Sequence, residues 1–182
     1  EEEESEFAGM AAGPVLRGEV LTLSFPQDFE TIEKNLKEFG NVKKVILRRD
    51  ITIIPENAFR NFKNLESIQG DGVVTVEKAA FYSLRKLKTV TLPNVTTIGT
   101  YAFKKCFQLE EIDLHSATTI GGYAFDRCQC LATINLPDAR SIGGGAFRGC
   151  KNLKGVDLPK VTSIEGYAFS FCKNLKGVDL PK

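Results

Sequence analysis

An alanine–phenylalanine pair recurs at Ala58-Phe59, Ala80-Phe81, Ala102-Phe103, Ala124-Phe125, Ala146-Phe147 and Ala168-Phe169. Each pair lies 22 residues after the last, with no insertion. A fixed period in the twenties is the signature of a solenoid, in which one unit is too short to bury its apolar face and must stack on its neighbours. No other feature of the 182 residues restricts the fold as strongly.

The rest of each unit keeps the same register. Leu65-x-x-Ile68, Leu87-x-x-Val90-x-Leu92, Leu109-x-x-Ile112-x-Leu114, Leu131-x-x-Ile134-x-Leu136, Leu153-x-x-Val156-x-Leu158 and Leu175-x-x-Val178-x-Leu180 are six copies of one short strand. Alternation points the branched residue and the second leucine inward and the residue between them outward. Proline follows directly at Pro93, Pro137, Pro159 and Pro181 and ends the strand. Val95, Ala117, Ala139 and Val161 mark a second inward position, and Ile98, Ile120, Ile142 and Ile164 a third. A coil of this length runs along a strand, turns, returns along an irregular or 3₁₀ limb, and rejoins about 4.8 Å further on to pair strand to strand. The pattern predicts a solenoid with a parallel β-sheet on its concave face and an irregular or 3₁₀ convex limb. The six phenylalanines form its spine, and Gly99, Gly121 and Gly143 take turn conformations with positive φ.

The front of the chain departs from the repeat. Residues 15–25 alternate around Val20, Leu21, Leu23 and Phe25 and read as a strand. Residues 28–39 carry Phe29, Ile32, Leu36 and Phe39 at helical spacing, and Gly40-Asn41 stops them. Residues 15–41 are therefore a small α/β cap over the first coil, whose core would otherwise face water. Residues 1–14 begin Glu-Glu-Glu-Glu-Ser-Glu and are expected to be disordered. That run hides a basic remainder: the other residues hold 24 Lys and Arg against 18 Asp and Glu. No run of 18 apolar residues predicts a membrane-spanning helix, and no basic-then-apolar leader stands at the start.

From residue 42 to residue 182, the motif Leu-x-x-Ile-x-Leu-Pro-x-x-x-x-x-Ile-Gly-x-x-Ala-Phe-x-x-Cys resembles the BspA-like, or treponemal-type, class of leucine-rich repeats. His115 replaces the strand-ending proline, and Phe62 and Leu84 replace the cysteine of the early copies. The resemblance implies a right-handed, curved solenoid. It also implies a secreted or surface protein of the kind that adheres to host matrix proteins or to other cells, hence an extracellular or cell-surface location. Residues 151–160 and 173–182 are the same ten residues, and the second copy runs to Lys182 with no polar closing element. Solenoids carry terminal caps, so the array is expected to be truncated at its C-terminus.

Candidate chemistry is sparse. Cys106, Cys128, Cys150 and Cys172 form a line one coil apart, whereas zinc ligands converge on a point. They read as buried free thiols, and Cys130 as the exposed, reactive one. His115 is the only histidine; Glu110, Glu111 and Asp113 beside it sit on one exposed strand, where carboxylates are ordinarily solvated. Gly143-Gly144-Gly145 is the repeat turn and not a phosphate cradle. Catalytic residues, metal and cofactors are therefore not expected.

Two columns of the surface are the candidate sites. Thr89, Thr91, Glu111, Asp113, Thr133, Asn135, Asp157 and Asp179 project from the concave strands, with Lys154, Lys160 and Lys176 able to neutralise the carboxylates. This face is the expected site for a protein partner, such as an extracellular matrix or surface protein. A basic stripe including Lys104, Lys105, Arg127 and Arg148 falls on the convex limb, where it can meet a sulfated glycan or another anionic polymer. It lacks interleaved exposed aromatics, which disfavours single-stranded nucleic acid as a partner. The expected function is a non-enzymatic binding module. The alternative is a structural spacer that presents another domain.

Overall fold

A computed structural model describes residues 13–181. Of residues 1–14, expected to be disordered, residues 1–12, with the whole acidic run, lie outside the described residues. Each repeat contributes two short strands, and two parallel ladders run the length of the array. The first ladder pairs Lys44–Leu47, Ser67–Gln69, Thr89–Thr91 and Glu111–Asp113 in sequence, and resumes with Ile134–Asn135, Val156–Asp157 and Val178–Asp179. The second ladder joins Ile53–Ile54, Thr75–Val76, Thr97–Ile98, Thr119–Ile120, Ser141–Ile142 and Ser163–Ile164. Register follows the period: Val90 pairs with Ile112 and Ile98 with Ile120.

The return limb is more regular than expected at one point and less helical at another. Its inward isoleucines form the second ladder. The arc beyond them is a run of turns, with no 3₁₀ helix among the described residues. In that arc the N–H of Phe103 donates to the Ala124 carbonyl at 2.8 Å, and that of Phe125 to the Ala146 carbonyl at 2.7 Å. The N–H groups of Tyr101, Lys105, Tyr123 and Arg127 likewise donate to the following coil, so alternate residues of the arc face along the axis. That orientation requires left-handed backbone at these four positions, whose φ values lie between 53° and 64°.

Positive φ therefore falls elsewhere than expected. Gly99, Gly121 and Gly143 are not in that region; what they supply is proximity. A Cβ on Gly121 would sit 2.6 Å from the Thr100 nitrogen, and one on Gly143 2.5 Å from the Gly122 nitrogen. Absence of the side chain lets coils close to N–H···O distances of 2.7 Å at Gly99 and Gly121 and 2.8 Å at Gly143. Where Glu77 and Glu165 stand instead, the bond is 2.9 Å. Each glutamate carboxylate then accepts from a backbone N–H of the preceding coil, Glu56 at 3.0 Å and Gly144 at 2.9 Å.

The core is a set of one-residue-per-coil columns. Phe59, Phe81, Phe103, Phe125 and Phe147 are fully buried, and their rings stack at centroid separations of 4.8–5.3 Å with planes within 15°. Phe169 continues the stack 5.4 Å beyond Phe147. At the other end Phe29 meets Phe59 edge-on at 5.7 Å, closing the column with a ring from outside the repeat. The cysteine column lies beside it: the thiols of Cys106, Cys128 and Cys150 donate to the carbonyls of Phe81, Phe103 and Phe125 at 3.1–3.2 Å.

Residues 15–25 fold as a hairpin, not the single strand expected, because Gly18 turns the chain at φ 61°. Strands β1 (Val15–Arg17) and β2 (Val20–Leu23) are antiparallel, and β2 then pairs in parallel with Lys44–Leu47. The expected helix is divided at Asn35 into α1 (Asp28–Lys34) and α2 (Leu36–Phe39). Buried Asp28 ties α1 to the hairpin, accepting from the Ser24 N–H at 2.7 Å and the Phe25 N–H at 3.1 Å. Among the described residues no helix is long and apolar enough to cross a membrane.

Candidate functional site

The first ladder places its outward residues where the alternation requires. Thr91, Glu111, Asp113, Thr133, Asn135, Asp157 and Asp179 are exposed and Thr89 is half-buried, while Val90, Ile134 and Val156 between or beside them point inward. The ladder is not continuous. Glu111–Asp113 and Ile134–Asn135 belong to separate sheets, and the inter-coil bond of Glu110 N–H to the Lys88 carbonyl has no counterpart in the next coil. Ile112 is left half-buried at the edge of the break.

An open cleft of about 430 Å³ lies over this discontinuity. Its walls are Thr89, Thr91, Glu111, Asp113, Thr133 and Asn135, together with Glu110 and Ile112. Six of the eight residues expected on this face are thus brought together, while Asp157 and Asp179 lie beyond it on the C-terminal side. From sequence Glu110 reads only as a solvated carboxylate near His115 and Ile112 as an inward core residue, because an unbroken ladder would hide the isoleucine and leave the glutamate at its margin.

Carboxylates border the cleft itself, while Lys88, Lys154 and Lys176 stand exposed in the same column as Glu110. Among the described residues neither Glu110 nor Glu111 has an ion-pair partner, and Lys160 pairs with Asp138 at 2.6 Å instead of neutralising Asp157. Asp113 is the exception: its Oδ1 lies 2.7 Å from His115 Nδ1 and also accepts the His115 N–H at 3.2 Å. Burial raises the Asp113 pKa, but the two hydrogen bonds and the charge of His115 together outweigh it and leave the carboxyl below its ordinary value. His115 replaces a proline that could supply neither contact. The carboxylate it orients borders a cleft whose floor is apolar and whose rim is threonine, asparagine and acid. Such a rim can accept hydrogen bonds and cationic side chains from a protein surface.

A larger cleft of about 930 Å³ opens where the cap meets the first coils. Its lining includes Arg17, Phe25, Arg48, Arg49, Asp50 and Asp71. Arg49 is bound to Asp71 at 3.1 Å. The available signal was the loop at Arg48-Arg49-Asp50: the strand before it is offset by 23 residues from the next copy and not 22.

On the arc, Lys104, Lys105 and Arg148 are half-buried and Arg127 is exposed. The expectation of a stripe without aromatics is corrected here. Tyr82, Tyr101, Phe107, Tyr123 and Phe171 stand among the cations, half-buried or exposed. Arg60 lies over Tyr82 and Arg85 over Phe107, each 5.6 Å from the centroid. Lys104 sits 4.9 Å and 5.1 Å from Tyr101 and Tyr123. Adjacent coils supply cation and ring in most of these pairs, so linear sequence conceals them. Lys104 also pairs with buried Asp126 at 3.2 Å.

The family model described as the BspA type leucine rich repeat region matches residues 19–110 and 69–176 in six copies. None of the curated proteins searched matches the sequence. Among solved structures, the leucine-rich repeat protein of T. pallidum superposes with a TM-score of 0.73 at 25% identity, over 91% of this chain and 78% of that one. A leucine-rich repeat protein from Bacteroides ovatus gives 0.71 at 25% identity, over 94% of this chain and 45% of its own length. With the 22-residue period, the parallel ladders and the matched repeats in agreement, the chain belongs to the BspA-type leucine-rich repeat family.

Proposed function

We propose that the array is a protein-binding module of a secreted or surface protein, and that it adheres to matrix proteins or to other cells through the face of the first ladder. The leucine-rich repeat fold suggests a protein-interaction module. The observation that carries the finer reading is the cleft between Glu111–Asp113 and Ile134–Asn135. It interrupts an otherwise regular face, exposes part of Ile112, and gathers threonine hydroxyls, an asparagine amide and unpaired carboxylates around that apolar floor. An apolar centre with a polar rim is the general anatomy of a protein interface. Rigid stacking on both sides means little ordering cost on binding. A partner for this face presents a basic loop with an apolar tip.

The test is a binding screen of the intact chain against extracellular matrix and cell-surface proteins, with Glu111→Lys/Asn135→Lys beside it. Both positions are exposed and flank the cleft. A ligand captured by the native chain and released at least tenfold more weakly retained by the variant supports this reading. A ligand held equally by both places recognition elsewhere, and capture of none favours a spacer.

A further inference from the structure

We propose that the basic arc on the side of the phenylalanine stack is a second, independent binding site, and that its ligand is a linear sulfated glycan. Arg60, Lys63, Arg85, Lys105, Arg127 and Arg148 follow one another along the coils. Among the described residues none of these six has a carboxylate within ion-pair distance, whereas the acid-paired Lys34, Lys43, Arg49 and Lys160 lie off the arc. Two other lysines of the arc have an acid: Lys78, at its start, pairs with Glu56, and Lys104 with the buried Asp126. Partial burial, and after it the charges of Arg60 and Arg85, hold the Lys63 ammonium below its ordinary pKa. A row of like charges without counterions is relieved by an anionic polymer that releases small ions as it binds.

Two further observations identify the ligand. The cations are held over rings, Arg60 and Lys105 both over Tyr82 and Arg148 over Phe171 at 5.4–5.7 Å, so they are positioned before binding. The same contacts cover ring faces that bases would need for stacking, which disfavours single-stranded nucleic acid. The six cations step through three neighbouring repeat positions over five coils, a band elongated along the axis that suits a chain. The second observation is strain. Lys105 and Arg127 occupy φ 62° and 64°, the position that Gly149 fills in the next coil at 71°. Glycine reaches that region without steric cost and long side chains do not. Ser83 and Phe171 hold the same position at 61°, so the array carries four side chains, two of them cations, where glycine would serve structure better.

That conflict supplies the experiment. Heparin is the probe, with desulfated heparin, a single-stranded oligonucleotide and anionic phospholipid vesicles as comparisons, titrated against the intact chain and against Lys105→Gly/Arg127→Gly. Native protein is expected to bind heparin with an affinity that falls at least about a hundredfold between roughly 50 and 200 mM salt, as the release of several counterions requires. The double variant is expected to lose at least about tenfold in affinity while its thermal midpoint stays level or rises, since left-handed strain is relieved. No heparin binding at 50 mM salt, equal binding of desulfated heparin, or tighter binding of the oligonucleotide or the vesicles overturns the proposal. Undiminished binding by the double glycine variant does so as well.

Discussion

Phe125→Ala tests the packing account where it is most exposed to failure. The ring is fully buried and sits between Phe103 at 5.2 Å and Phe147 at 5.3 Å, nearly parallel to both. Removing a buried phenyl forfeits about 1.5–3 kcal/mol of transfer free energy, and the space left behind raises the usual cost to about 3–5 kcal/mol. The upper part of that range applies here. Inter-coil bonds at Phe103 and Phe125 fix the backbone on either side at 2.7–2.8 Å, so the coils cannot close on the void. Position in the array adds a second expectation. A repeat contacts only its neighbours, so a defect in the middle uncouples two halves, while one at the end removes a single contact. Phe169 is half-buried and has one ring neighbour among the described residues, Phe147, so Phe169→Ala should cost about half as much. The chain has no tryptophan and four tyrosines, so urea unfolding is followed by far-ultraviolet circular dichroism, with tyrosine emission as a second probe. A Phe125→Ala loss below about 1 kcal/mol, or equal losses at the two positions, would refute the reasoning.

Other expectations follow from particular contacts. Burial pushes the Cys106 thiol up to about 12 and raises those of Cys128, Cys150 and Cys172; without denaturant a thiol reagent should label Cys130 first, and fast labelling of all five would contradict the buried column. Gly121→Ala would drive a Cβ into backbone at 2.6 Å and should destabilise by about 1–3 kcal/mol. Gly122→Ala, whose nearest neighbour is at 3.5 Å, should change the unfolding midpoint little. The Asp113 carboxyl lies below its ordinary pKa in the folded protein, so its stabilising share is present above the unfolded value of about 3.9 and is lost as pH falls through the folded one. Asp113→Asn should therefore be less stable than the native protein at neutral pH and approach it as pH falls through the folded pKa; a carboxyl titration by carbon-13 resonance that shows an ordinary or raised value would remove that explanation.

The period was legible because each ladder position repeats one kind of chemistry. Leucine, isoleucine, phenylalanine and cysteine recur where a buried column needs a particular size, and the alternation in Ile112-Asp113-Leu114 specifies which side chain meets water. What escaped was geometry that residue type does not encode. A glycine at 121 is equally compatible with left-handed backbone and with close approach, and only the 2.6 Å distance to Thr100 separates the two. Left-handed backbone fell on Tyr101, Lys105, Tyr123 and Arg127 because alternate N–H groups must reach the next coil, a demand that no propensity scale carries. The break in the first ladder was invisible, since Ile112 and Ile134 occupy the same repeat position. Cation–ring pairs such as Arg85 with Phe107 span 22 residues and form only once the coils are stacked. The candidate face was therefore readable as a column of residues, but the cleft within it was not.

The central claim is that the first-ladder face recognises a partner while the columns beneath it hold the fold, so the two can be separated. The most direct measurement is Kd and unfolding midpoint on the same preparation of Glu111→Lys/Asn135→Lys, using whichever matrix or surface protein the native chain captures. The account predicts a rise in Kd of at least about tenfold, or about 1.4 kcal/mol, with an unchanged midpoint. An unchanged Kd, or a loss of binding that only tracks a fall in the midpoint, would contradict it.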